Sequence, residues 1–151
     1  MIDLLRAAIV GPSGTPYHDG LFFFDVRFPP GYPRFPAKVY YHSGGLRLNS
    51  NLYESGKVCL SLLNTWGSGC EKCSKSNSTM LQVLISIQGL VLNDKPYFND
   101  PCYKNTVNTP LAEKHSMAYN QTAFVLSCKT MLYSLRKPPK VIYRTLISCH
   151  G

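Results

Sequence analysis

The sequence predicts an α+β domain, an antiparallel β-meander followed by helices. Three observations carry this reading. Over the first half, short runs rich in aromatic and β-branched residues alternate with glycine and proline breaks. Over the second half, apolar residues return at spacings of three and four, the mark of a helix face. No helical pattern separates the β-rich runs, which argues against parallel βαβ units.

Leu5 to Val10 reads as the first strand, closed by Gly11-Pro12, and Gly14-Thr15-Pro16 makes a second break. Leu21-Phe22-Phe23-Phe24-Asp25-Val26 is the second strand and stops at Pro29-Pro30-Gly31. Val39-Tyr40-Tyr41-His42 is the third, ending at Gly44-Gly45. The polar, glycine-bearing stretch from Asn64 to Ser78 reads as a loop. Met80, Val83, Leu84, Ile87 and Leu90-Val91 fall on one face of a helix, and Thr79 with Gln82 forms a capping box at its start. A longer helical region begins at Thr109-Pro110, a cap residue before a first-turn proline. It extends, with room for a break, to Arg136 and stops at Pro138-Pro139. No internal repeat or boundary divides the chain, so residues 1–151 are expected to form one domain.

The chain has 151 residues, 44 % of them hydrophobic, enough to bury a core. Charged residues are 16 %, too few for a disordered tail. No apolar run approaches the roughly 20 residues that span a bilayer. Leu4 to Val10 is interrupted by Arg6 and has no cleavage pattern, so no secretory signal is read. The six cysteines are therefore expected to stay reduced in an intracellular setting. The net charge of +8 comes from scattered residues, with Arg136-Lys137-Pro138-Pro139-Lys140 the one dense group. Without a zinc-finger or glycine-aromatic signature this makes a weak case for nucleic acid, since a basic surface serves acidic protein partners equally well.

Motifs go further than composition. Gly11-Pro12…Thr15-Pro16-Tyr17…Gly20-Leu21-Phe22-Phe23 and the proline-rich Phe28-Pro29-Pro30-Gly31-Tyr32-Pro33…Pro36 stand in order. They are followed by Asn51-Leu52-Tyr53…Gly56-Lys57-Val58-Cys59-Leu60-Ser61-Leu62-Leu63, then Trp66 and Asn99-Asp100-Pro101. Together they resemble the ubiquitin-conjugating enzyme family over residues 6 to about 137. Lys95-Pro96-Tyr97-Phe98-Asn99 and the segment from Gly56 to Trp66 look like the large members of that family. That subgroup includes plant forms and hybrids that combine conjugation with ligase activity. The resemblance implies the ubiquitin-conjugating fold. It also shows two departures. Only about five residues precede Arg6, where the family carries a helix and a first strand, so the chain reads as a shortened form with an exposed sheet edge. The helix it would lack normally helps dock the ubiquitin-activating enzyme. The family's usual His-Pro-Asn triplet falls on Asn49-Ser50-Asn51, and only the asparagine is kept.

The resemblance makes Cys59 the nucleophile that carries ubiquitin as a thioester and passes it to a lysine. Thioester transfer needs a thiol that attacks an activated acyl group and later leaves, and cysteine suits both steps. A cysteine in an apolar run is more often a small buried hydrophobe, the reading kept for the other five. Asn51, eight positions before Cys59, is the candidate donor to the oxyanion; holding the loop is its other role. The attacking lysine must be neutral although its free pKa is about 10.4. The resemblance assigns its preparation to Tyr53 and Asp100, while an Asp before Pro also simply initiates turns. Pro33, Arg34, Phe35 and Trp66 match the two loops that meet ubiquitin ligases. Arg34 stands where many such members carry an aromatic residue, and Trp66 serves equally as packing.

Cys70-x-x-Cys73 supplies half the ligands of a structural zinc site, so no metal is expected. His18, His42, His115 and His150 form no cluster and read as surface or packing residues. No cofactor is expected either, because ATP is used by the upstream activating enzyme. Implied partners are ubiquitin, the activating enzyme, and a ligase or a direct protein substrate. The rival function is a catalytically impaired interaction module of the same fold that binds ubiquitin or a partner protein.

Overall fold

The computed structural model describes residues 4–65 and 78–139. Strands β1 (Leu4–Val10), β2 (Leu21–Arg27) and β3 (Lys38–Tyr41) form one antiparallel sheet in that order. Each predicted strand is present, within two residues of its expected ends. Register follows from alternation: Ala7, Ile9, Phe22, Phe24 and Val26 are buried, with Ala7 opposite Phe24 and Ile9 opposite Phe22. Arg6 and Asp25 face each other on the outer side. Full burial of a Phe-sized side chain is worth about 2 kcal/mol, so Phe22 and Phe24 alone pin the register.

After β3 the chain turns at Gly56, whose φ of +83° favours glycine and where a Cβ would lie 2.1 Å from the Tyr40 ring. The turn leads into two isolated bridges, Tyr40 with Lys57 and Leu52 with Val58. These carry residues 57–60 back across the sheet. A short 3₁₀ turn, Ser61–Leu63, follows and closes at Asn64 with φ of 53°.

Helix α1 (Met80–Ser86) starts at the predicted capping box: Thr79 Oγ1 accepts from Gln82 N and Gln82 Oε1 accepts from Thr79 N. The helix then widens into a π-helical turn over Ile87–Val91. This changes which residues point inward. Val83, Leu84, Ile87, Val91 and Leu92 are buried, whereas Leu90, expected on the same face, is 65 % exposed. A wider turn breaks the three-and-four spacing on which that expectation rested.

Helix α2 (Pro110–Arg136) is capped by Thr109 and runs without a break to the residue before Lys137-Pro138-Pro139. Its buried residues are small: Ala112, Ser116, Ala123, Ser127 and Thr130. Larger apolar residues such as Leu111, Met117 and Leu135 are exposed. Among the described residues, no helix is long and apolar enough to cross a membrane. The core joins the inner sheet face to α1 through Tyr17, Tyr41, Leu48, Leu52, Val58 and Leu60. The segment carrying Cys59 is thus held between sheet and helix. Strands in an antiparallel meander followed by helices make this an α+β fold.

Candidate active site

Cys59 lies just beyond the Leu52–Val58 bridge, where the chain has no strand partner to fix it. One backbone bond and the side chains of Asn51 and Thr65 do that work instead. The Cys59 N–H donates to the Asn51 carbonyl at 2.8 Å, and Asn51 Nδ2 donates back to the Cys59 carbonyl at 2.9 Å. On the other side, the Thr65 hydroxyl donates to the Val58 carbonyl at 2.7 Å and accepts from the Leu60 N–H at 2.9 Å. Both backbone neighbours of the thiol residue are therefore satisfied, which a buried loop requires. Sequence reasoning missed Thr65. The signal available was a hydroxyl residue closing the Leu-rich active-site motif, the kind that makes local side-chain-to-backbone bonds.

The residue is only 5 % exposed, and its access is through an open groove of about 520 Å³. Asn51 and Cys59 line it together with Leu90 of the π-turn and the 98–104 segment. Among the described residues, Lys104 is the one charged residue lining the groove. Asn93 donates to Asn99 Oδ1 at 2.6 Å, while Asn99 Nδ2 donates to the Val91 carbonyl at 3.2 Å. This amide pair ties the end of the π-turn to the start of the loop that bears Asp100.

Asn49, noted in the sequence only as a departure from the triplet, proves to be a structural hub. It is 1 % exposed. Its Oδ1 accepts from the N–H groups of Asn51 and Leu52, at 2.9 and 3.0 Å. Its Nδ2 donates to the Tyr17 hydroxyl at 3.0 Å and to the Val91 carbonyl at 3.1 Å. One buried amide thus connects Tyr17 in the β1–β2 connection, the Asn51 turn and the π-turn. Burial pushes the Tyr17 phenol well above its ordinary pKa, and the Asn49 bond only partly opposes that shift.

The other predicted site residues stand apart from the thiol groove. Asp100 lines an adjoining cavity of about 440 Å³ with Arg47, Tyr97, Tyr103 and Tyr119. Its Oδ1 accepts from Cys102 N at 2.9 Å, and its backbone carbonyl accepts from the N–H groups of Tyr103 and Lys104. The neighbouring Asp100 carboxylate raises the Cys102 thiol pKa, first by hydrogen bonding and then by charge. The Tyr119 phenol is raised too, chiefly by burial. Tyr53 is half-buried, with the Arg47 guanidinium 4.4 Å and the Lys57 ammonium 5.7 Å from its ring centre. Its face is occupied by cations of this chain.

Pro33, Arg34 and Phe35 are exposed, with Phe35 61 % accessible. Trp66, Cys70, Cys73 and His150 lie outside the described residues. His18 pairs with Asp19 and stacks on Phe124, His42 bonds Asp25, and His115 meets the Tyr97 ring edge. Among the described residues, no group of three or more His, Cys, Asp or Glu could hold a metal ion.

The family model described as ubiquitin-conjugating enzyme matches residues 1–126. A putative ubiquitin-conjugating enzyme E2 38 of Arabidopsis thaliana is 61 % identical over 92 % of this chain, which spans 43 % of that protein. The probable ubiquitin-conjugating enzyme E2 24 of the same plant is also 61 % identical over 92 %, and there the chain spans 15 %. The human dual E2 ubiquitin-conjugating enzyme/E3 ubiquitin-protein ligase BIRC6 is 39 % identical over 99 % of the chain, matched to 3 % of its own length. In three dimensions, the E2 domain of a Toxoplasma gondii ubiquitin conjugating enzyme superposes with a TM-score of 0.59 at 29 % identity, covering 85 % of this chain and 81 % of that one. The matched motifs, the α+β fold and relatives above 60 % identity agree, and the chain belongs to the ubiquitin-conjugating enzyme family.

Proposed function

We propose that Cys59 receives ubiquitin from an activating enzyme as a thioester and transfers it to a substrate lysine. The observation that carries this reading is the placement of Cys59: a thiol lining an open groove, its own N–H and C=O both held by Asn51. A nucleophile must keep one geometry through two acyl transfers, and a backbone fixed on both sides supplies it. When the lysine amine attacks, charge gathers on the former carbonyl oxygen. The Asn51 amide carries two protons, one engaged by the Cys59 carbonyl, and the second is our candidate for that oxyanion.

Asp100 and Tyr53 act at one remove in this scheme. Asp100 folds the turn that brings Pro101 and Lys104 into the groove, through its bonds to residues 102–104. Tyr53 gathers Arg47 and Lys57 beside the segment that carries Cys59. The exposed Pro33, Arg34 and Phe35 form the face offered to a ligase. Acyl transfer between a thiol and an amine calls for no cofactor of this chain, and the ATP is spent upstream. A thiol that must stay reduced fits an intracellular setting.

The test is incubation of the chain with activating enzyme, ATP and ubiquitin, read on a non-reducing gel. The expected product is a ubiquitin adduct that disappears with reductant. Cys59→Ser is expected to give a more stable ester or no adduct. An adduct that survives unchanged in Cys59→Ala overturns the assignment. A wild-type chain that folds yet takes no ubiquitin returns the domain to the rival reading of an interaction module.

A further inference from the structure

Helix α2 carries its bulk on the side away from the core. Its inward face is built of Ala112, Ser116, Ala123, Ser127 and Thr130. The larger apolar side chains point outward, and they are not scattered. Met117, Gln121, Phe124, Cys128, Met131 and Leu135 follow one another at steps of four, three, four, three and four. That alternation is the heptad seam by which one helix packs on another. Val125 and Leu132 widen the seam along one edge. Met117 is 69 % and Leu135 78 % exposed, with Phe124, Val125 and Leu132 between 42 % and 51 %. His18 stacks on one face of Phe124, and the rest of that ring meets solvent.

We propose that this seam is a self-association surface, on which α2 pairs antiparallel with α2 of a second copy of the chain. A two-fold axis midway along the seam sets Met117 against Leu135, Gln121 against Met131, and Phe124 against the smaller Cys128. A parallel pair in register would instead oppose Phe124 to Phe124. It would also set Lys114, Lys129 and Arg136 each against its own copy, and align the two helix dipoles. The antiparallel pair opposes the dipoles and brings Glu113 within about one turn of Arg136 on the other copy. At about 100 Å² of apolar surface per fully exposed side chain of this size, two seams at these exposures take roughly 600 Å² out of water. With its polar rim the contact approaches the roughly 1,000 Å² that a specific pair has to clear, which makes a dissociable dimer. No seam residue lines the Cys59 groove, so pairing leaves both grooves open, and the inference stands apart from the thioester reading.

The experiment is sedimentation equilibrium of the full 151-residue chain from low micromolar to near-millimolar concentration. The average mass is expected to rise from one chain to two and to stop there. Leu132→Glu with Leu135→Glu places charge in the seam at exposed positions, so association should weaken at least about thirtyfold while the melting temperature of the dilute chain holds. Leu111→Glu, equally exposed on α2 but off the seam, should leave association unchanged. Orientation is read with a short lysine-reactive cross-linker and mass spectrometry. Lys114 and Lys137 stand at opposite ends of α2, roughly 35 Å apart at about 1.5 Å per residue, so a short link between them forms only across an antiparallel pair. Links joining Lys129 to Lys129 instead would overturn the antiparallel pairing. A chain that stays monomeric throughout overturns the proposal. In that event, a melting temperature lowered by the double variant assigns the seam to a segment of the same chain, and an unchanged one assigns it to a different protein.

Discussion

At the scale of single residues, the site is built by amides rather than by charges. Asn49 and Asn51 between them hold two backbone N–H groups, two carbonyls and a buried phenol, all within hydrogen-bonding distance of 3.1 Å. An amide suits this because it donates and accepts at once and needs no counterion. Replacing Asn51 by Ala leaves the buried Cys59 carbonyl without its donor, a loss of about 1–3 kcal/mol. If Asn51 also serves the oxyanion, discharge to free lysine should slow by about 10²-fold while loading changes far less. Melting temperature, loading rate and discharge rate measured on one preparation separate the two contributions. Loading and discharge falling together, in step with stability, would reduce Asn51 to loop scaffolding. Cys59 and Asn51, which the structure ties together, could be picked out in the sequence because they sit in an ordered motif. Asn49 and Thr65 were not, because their work is done by hydrogen bonds to backbone groups whose positions only the folded chain defines.

At the scale of elements, the π-turn at Ile87–Val91 is where sequence periodicity and structure part. The capping box at Thr79 was readable because its two bonds link residues three apart, a local rule obeyed locally. The widened turn has no comparable sequence mark, and it moves Leu90 from the core to the groove wall. A direct contrast follows. Ile87→Ala, at a site with no exposure, should cost about 2–5 kcal/mol in a denaturant melt. Leu90→Ala, at 65 % exposure, should stay within about 0.5 kcal/mol of the parent. Equal losses at the two positions would mean that the helix continues regularly and that Leu90 packs inside. The strands were easier to read. Their inner and outer faces alternate cleanly, and glycine or proline breaks flank them in the sequence. The long α2 was legible in extent but not in orientation. Its inward face is made of Ala, Ser and Thr, whose low hydrophobicity hides the contact.

At the scale of the whole molecule, an excess of positive charge surrounds one polar knot that ties the sheet together. Arg6 on β1 bonds Asp25 on β2, its Nη2 at 2.7 Å from Oδ2, and His42 just after β3 meets the same oxygen at 2.9 Å. One carboxylate therefore links all three strands on the outer face, in a chain of net charge +8 where carboxylates are scarce. Partial burial alone would raise the Asp25 pKa. The hydrogen bonds from Arg6 and His42, with their charges, outweigh that and hold it below the ordinary carboxylate value. The sign of the consequence is fixed. A carboxyl with a folded pKa below its unfolded value of about 3.9 contributes its full stability above that pH. The contribution is lost as pH falls through the lower, folded value. Because solvent reaches the group, about 1 kcal/mol is the expected scale. Melting curves of the wild type and Asp25→Asn should therefore differ most at neutral pH. They should converge as the pH falls below the carboxylate range, where a protonated Asp25 resembles the amide. A stability difference that stays constant from neutral pH down to strong acid would show that Asp25 acts by packing, and that the three strands are joined without its charge.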